Sequence, residues 1–156
     1  MPRPELKVSR VTELSPKRLK ELGVRGLLLD LDNTLMPPNS ETPAPGVEEW
    51  LAELKAAGVP VMLVANAKPA RLKRAARRLG LPAVGPVGKP LPFGFLYGLW
   101  RLGLGRDEVL AVGDQVFTDL LAARLAGVRF ALVEPLAEDS LPHTRWLRRF
   151  ERRWRG

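Results

Sequence analysis

An unbroken apolar run that ends in two carboxylates, Leu27-Leu28-Leu29-Asp30-Leu31-Asp32-Asn33-Thr34-Leu35, constrains this chain more than any other stretch. Such a run reads as a strand buried on both faces, and strands of that kind belong to parallel sheets covered by helices. Side chains alternate along a strand, so Asp30 and Asp32 are expected on one side, with Leu31 turned back into the core. Open α/β sheets bind their ligands at this carboxyl end. Two like charges so close need a shared proton or a cation, and hard oxygen donors suit Mg²⁺.

The rest of the chain alternates between strand and helix signals. Ser15-Pro16 offers an N-cap and a first-turn proline for a short helix closed by Gly23, whereas residues 1–14 carry no periodic pattern. Pro37-Pro38 forces a loop after the first strand, and a helix over about 46–57 places Val47, Trp50, Leu51 and Leu54 on one face. Val59–Val64 reads as a second buried strand. Pro69 opens a helix with Leu72, Ala75, Ala76 and Leu79 inward and Arg71, Lys73, Arg74, Arg77 and Arg78 on a solvated face. A short strand at 81–84 comes next, then a helix from Pro92 whose Phe93, Leu96, Tyr97 and Trp100 recur at helical spacing and are expected in the core. Val109–Gly113 and Val128–Val133 complete the strands, with a helix over 119–126 between them. This order predicts an α/β fold, a doubly wound parallel sheet with helices on both faces.

At 156 residues the chain suits a single domain, 1–156, with an N-terminal extension (1–25) and a basic tail (143–156). It has no cysteine, which excludes disulfides and zinc-thiolate sites, and no long apolar run at its start or elsewhere. A cytoplasmic protein is expected. The formal net charge of +8 favours anionic partners of any kind.

Three strand ends carry polar groups: Asp30 and Asp32, then Asn66, then Asp114 and Asp119, with Lys89 in a Gly/Pro-rich loop between the last two. Carboxylates, one cation and free backbone amides suit a phosphoryl group and its metal. In these residues the chain resembles the haloacid-dehalogenase (HAD) phosphohydrolase superfamily. Asp30-Leu31-Asp32-Asn33-Thr34 matches the first motif, Lys89 before Pro90 the third, and Gly113-Asp114-Gln115 with Asp119 the fourth. Within it the chain is most similar to the capless YqeG-type branch, related to mitochondrial phosphatidylglycerophosphate phosphatases.

The resemblance implies a phosphatase in which Asp30 forms an aspartyl-phosphate and Asp32 protonates the leaving oxygen and later activates water. It further implies that Mg²⁺ binds Asp30, Asp114 and the main-chain carbonyl of Asp32, with Asp119 ligating or orienting a ligand water. Lys89 would offset negative charge, and Asn33, Asn66, position 65 and Lys89 would contact the substrate. Position 65 departs from the pattern: Ala65 stands where the second motif has a Ser or Thr. Each residue also has a plainer reading, since Asp32 and Asn33 shape turns, Asp119 suits a helix start, and Lys89 alone would be a surface cation. His143 falls outside the constellation.

Residues 36–60 and 67–88 leave room for one helix each and no cap domain, which implies an open site. The tail separates Trp146, Leu147, Phe150 and Trp154 from most of its arginines, as a helix lying on an anionic membrane would, or one docking onto its own domain. Open site and basic tail together point to a phosphorylated anionic lipid, with phosphatidylglycerophosphate leading by resemblance, and to peripheral contact with the inner membrane face. The competing reading is a basic nucleic-acid- or ribosome-associated protein with a vestigial fold. A response-regulator receiver also combines Asp, Lys and Mg²⁺, but its acceptor lies on a middle strand, whereas Asp30 here is expected to open the sheet.

Overall fold

Leu27, Leu28 and Leu29 are fully buried, and their strand lies in the interior of a six-stranded parallel sheet. A computed structural model describes residues 3–89 and 91–136. In chain order the strands are β1 (Leu6–Val8), β2 (Gly26–Leu29), β3 (Val61–Val64), β4 (Ala83–Val84), β5 (Val109–Gly113) and β6 (Arg129–Val133). They lie side by side in the order β1-β6-β5-β2-β3-β4. The helices are α1 (Pro16–Glu21), α2 (Val47–Ala56), α3 (Pro69–Leu79), α4 (Phe93–Leu102) and α5 (Leu121–Ala126). Leu28 aligns with Met62 of β3 on one side and Ala111 of β5 on the other.

The pleat sends alternate leucines of β2 to opposite layers. Leu27 and Leu29 join Leu14, Leu19, Trp50, Leu54, Leu72 and Ala75 under α1, α2 and α3. Leu28 joins Phe95, Leu99, Ala122, Ala123 and Ala126 under α4 and α5. Each fully buried leucine contributes about 1.5–3 kcal/mol, so this double-sided burial is what holds β2 at the centre. Between β2 and β3 there is only a loop and α2, and between β3 and β4 only α3, so no cap domain is inserted at either point. Among the described residues no helix is long and apolar enough to cross a membrane. The tail 143–156 and His143 lie outside the described residues.

Two expectations are corrected. The strand bearing Asp30 does not open the sheet: Leu6–Val8, in the stretch without periodic signal, forms an edge strand paired with Ala131–Val133. Nor is the aromatic stripe of α4 core. Phe93 and Trp100 are 66% and 75% exposed, and Tyr97 is also exposed, its ring 5.7 Å from that of Trp100. The inward face is Gly94, Phe95, Gly98 and Leu99. A Cβ on Gly98 would meet the Leu28 side chain at 2.6 Å, and one on Gly94 would meet Val87 at 2.7 Å. The two glycines let α4 lie close on β2 and β3, which turns the bulkier residues outward.

Candidate active site

Each candidate side chain comes from a carboxyl end of the sheet or the loop beyond it. Asp30 is the first residue after β2, with its amide held by the Val112 carbonyl at 3.0 Å. The chain then turns tightly: the amides of Thr34, Leu35 and Met36 all donate to the Leu31 carbonyl, and Asn33 takes the left-handed conformation at φ 63°. Asparagine tolerates that region better than other side chains. The turn leaves Asp30 and Asp32 on one open cavity of about 240 Å³, lined also by Asn33, Asn66, Lys89, Asp114, Gln115 and Asp119.

Asp114 comes directly after β5, and Asp119 returns to the same point through a wide π-helical turn, Val116–Leu120, that precedes α5. The expected helix over 119–126 thus begins as this wider turn. Both carboxylates are buried. Asp119 packs on Gly113: a Cβ there would stand 2.5 Å from the Asp119 Cγ. One carboxylate oxygen from each of Asp30, Asp114 and Asp119 lies within 4.8 Å of the others, a spacing able to hold one cation among hard donors.

Lys89 closes the cluster from the opposite loop. Its Nζ donates to Asp119 Oδ1 at 2.8 Å and Asp30 Oδ1 at 3.3 Å, and lies 5.4 Å from the centre of the Phe95 ring. Asn66 fixes that loop, accepting from the Lys89 amide at 3.1 Å and donating to its carbonyl at 3.4 Å. Its amide group, expected to serve the substrate, thus also clamps the lysine. Ala65 is buried at the end of β3, and Ala67, not Ala65, lines the cavity.

Burial, then the charge of Asp119, holds the Asp30 carboxyl well above the usual carboxylate range; Asp114 pushes the same way, and Lys89 opposes it. Burial pulls Lys89 down, but the charges and hydrogen bonds of Asp119 and Asp30 outweigh it and leave the ammonium above its ordinary value. The lysine therefore stays charged, one ammonium facing a cluster of three carboxyl groups.

Asp32 is placed differently. Its side chain is 41% exposed and accepts two bonds on Oδ1 from Arg71, from Nε at 3.0 Å and Nη2 at 2.7 Å. Arg71 is not one of a row of solvated cations: its side chain is only 15% exposed. Sequence reasoning misses it, because helical periodicity separates inward from outward faces but does not say which flanking arginine bends over a neighbouring loop.

This fold and this acidic cluster define a hydrolase class. Residues 37–127 match the model of the haloacid dehalogenase-like hydrolases, and the chain belongs to that family. It is 33% identical over 150 residues to "Probable phosphatase YqeG" of Bacillus subtilis, covering 96% of this chain and 87% of that one. Among solved structures, a D,D-heptose 1,7-bisphosphate phosphatase from B. bronchiseptica, complexed with magnesium and phosphate, is 25% identical with a TM-score of 0.58, covering 78% of this chain and 90% of that one. A putative HAD family hydrolase from Streptomyces avermitilis shares the fold at 19% identity and a TM-score of 0.58, covering 79% and 83%.

Proposed function

We propose that this protein is a Mg²⁺-dependent phosphatase acting on a phosphate monoester through an aspartyl-phosphate. The observation that carries the reading is the convergence of Asp30, Asp114, Asp119 and Lys89 from three separate strand ends onto one small open cavity. The Asp30 carboxylate attacks phosphorus, forming a P–O bond as the bond to the leaving alcohol breaks, and Asp32 gives that oxygen its proton. Asp32 then accepts a proton from water as the water attacks the same phosphorus, which frees inorganic phosphate and restores Asp30. Lys89 lowers the repulsion between an anionic nucleophile and an anionic ester.

The residues fit a divalent ion. Three carboxylates share one spot, all donors are oxygen, and burial together with the charges of Asp119 and Asp114 raises Asp30, a group that a cation would favour in its ionised form. Asp30, Asp114 and Asp119 would hold Mg²⁺, with the Asp32 carbonyl as a further donor. When bound, it would supply positive charge against the phosphoryl oxygens. The magnesium and phosphate named for the heptose bisphosphate phosphatase support this assignment.

For the substrate, the uncapped site favours an ester on a large or surface-bound molecule, and we propose a phosphorylated anionic lipid, phosphatidylglycerophosphate first. The net charge of +8 supports the choice. So does the exposed aromatic face of α4, which begins four residues beyond Lys89. The test is a phosphate-release screen with Mg²⁺ over lipid vesicles, sugar phosphates, nucleotides and phosphopeptides, with Asp30→Asn as control. Mg²⁺-dependent release from vesicles, abolished in Asp30→Asn, is expected. Release from small esters alone would overturn the lipid assignment, and no release from any ester would overturn the phosphatase reading.

A further inference from the structure

We infer that Arg71 is a positioning residue for Asp32, holding the carboxyl group where it exchanges a proton with the leaving oxygen. The inference rests on the role proposed above for Asp32. Arg71 spends its guanidinium on four bonds: two to Asp32 Oδ1, one from Nη1 to the Ser40 carbonyl at 2.7 Å and one from Nη2 to the Pro37 carbonyl at 3.3 Å. A planar fork with five N–H donors serves a carboxylate and a loop at once in a fixed geometry, whereas a lysine ammonium has three donors on a flexible stem. Both bonds to Asp32 end on Oδ1, so Oδ2 is left for proton exchange.

Its neighbours on α3 mark the contrast. Arg74 pairs with Glu41 and Arg78 with Glu48, one and two turns further along, and all four side chains are about half exposed. Pairs of that kind add about 0–1 kcal/mol and fix little. Of these three arginines only Arg71 is mostly covered, and it does not line the cavity. It therefore acts on the reaction through Asp32, not by touching the substrate. Asp32 itself is well exposed on a turn, where packing constrains a rotamer weakly, so the guanidinium is what selects it.

In the first step, loss of the leaving group, a misplaced proton donor harms only those esters that need one. The alcohol of an alkyl phosphate leaves as an alkoxide unless protonated, whereas p-nitrophenyl phosphate has a leaving group that departs readily as the anion. With Arg71→Ala, kcat/KM on a primary alkyl phosphate should fall about 10–100-fold and kcat/KM on p-nitrophenyl phosphate by less than about threefold, since kcat/KM reports the steps up to loss of the leaving group and not the later attack of water that both esters share. Arg71→Lys should fall between, and Arg74→Ala should match wild type on both esters. The ratio of the two rates is taken on one preparation, so a partly unfolded fraction cancels.

Asp32→Asn is run beside them. If Asp32→Asn is selective against the alkyl ester and Arg71→Ala shares that selectivity, with no further change in the double variant, the inference stands. If Asp32→Asn is selective and Arg71→Ala slows both esters equally, this inference fails and the role of Asp32 survives. Equal losses of kcat/KM on both esters in Asp32→Asn would sink the proton-donor role and the inference with it.

Discussion

Replacing Lys89 with methionine isolates the electrostatics of the site, since the apolar stem is kept and only the ammonium is lost. Its Nζ bridges Asp119 and Asp30 at 2.8 and 3.3 Å, and the lysine and Asp119 side chains are each only 2% exposed. Removing one member of a buried pair leaves an uncompensated charge, which costs about 3–5 kcal/mol. The loss of the ammonium beside Phe95 adds to it. The cost is bounded because a carboxyl group can take up a proton instead, at about 1.4 kcal/mol per pH unit. Asp30, already raised by burial and by Asp119, is the group that does so. A lysine raised in the folded state contributes its full stabilisation at all pH values below its unfolded titration and loses it only in the alkaline range. Between pH 5.5 and 7.5 the pH dependence of the difference between variant and wild type then comes from the carboxylates beside the lysine. Denaturant unfolding with a metal chelator should show Lys89→Met less stable than wild type by about 3–5 kcal/mol at pH 7.5 and by less at pH 5.5. Added Mg²⁺ should narrow the gap. A difference under about 1 kcal/mol at pH 7.5 in chelator would refute the electrostatic account.

The other predictions concern the metal, the packing beneath it and α4. Because the folded pKa of Asp30 is raised, its contribution to the metal-free protein is greatest below the ordinary carboxylate range and is lost as pH rises through the raised value. Magnesium bound as proposed would compete with that proton, so the rise in Tm on adding Mg²⁺ should grow from pH 5 to 7.5 in calorimetry; an equal rise throughout would contradict it. Gly113→Ala places a methyl 2.5 Å from the Cγ of Asp119, whose oxygens are tied to Lys89 Nζ and the Gln115 amide. It should cost about 1–3 kcal/mol and weaken Mg²⁺ binding, and a wild-type Mg²⁺ titration would show the close approach to be harmless. Phe95→Ala should cost about 3–5 kcal/mol, while Trp100→Ala should stay within about 0.5 kcal/mol, as judged by urea unfolding.

Much of this site is legible in the linear chain, because its residues stand at the ends of fully buried strands. Three leucines before Asp30, and Val109–Val112 before Gly113-Asp114, leave few alternatives to interior parallel strands, and a carboxylate at such a terminus needs a partner. Lys89 is legible only through the motif order; nothing in its own Gly/Pro-rich loop says that it is buried. What escapes is set by long-range geometry. Leu6–Val8 is too short for periodicity, and its strand exists because β6 offers an edge. The face that α4 buries is the reverse of the one its pattern predicts: hydrophobicity places large apolar residues inside, whereas Gly94 and Gly98 gain more from close backbone approach to Leu28 and Val64. Arg71 reads like its solvated neighbours, since the loop carbonyls of Pro37 and Ser40 that capture it have no signature in sequence.

The wide turn at Val116–Leu120 makes the site sensitive to the count of residues as well as to their identity. Such turns hold one residue more than an α-helical turn, and shortening this one would rotate α5 and the residues leading into it by about 100° relative to β5. A descendant that lost a single codon between Asp114 and Asp119 would still carry every acidic side chain of the cluster, yet its last carboxylate would no longer meet the lysine. Deletions here are therefore a route to a folded but silent copy that an inventory of motifs would still count as intact.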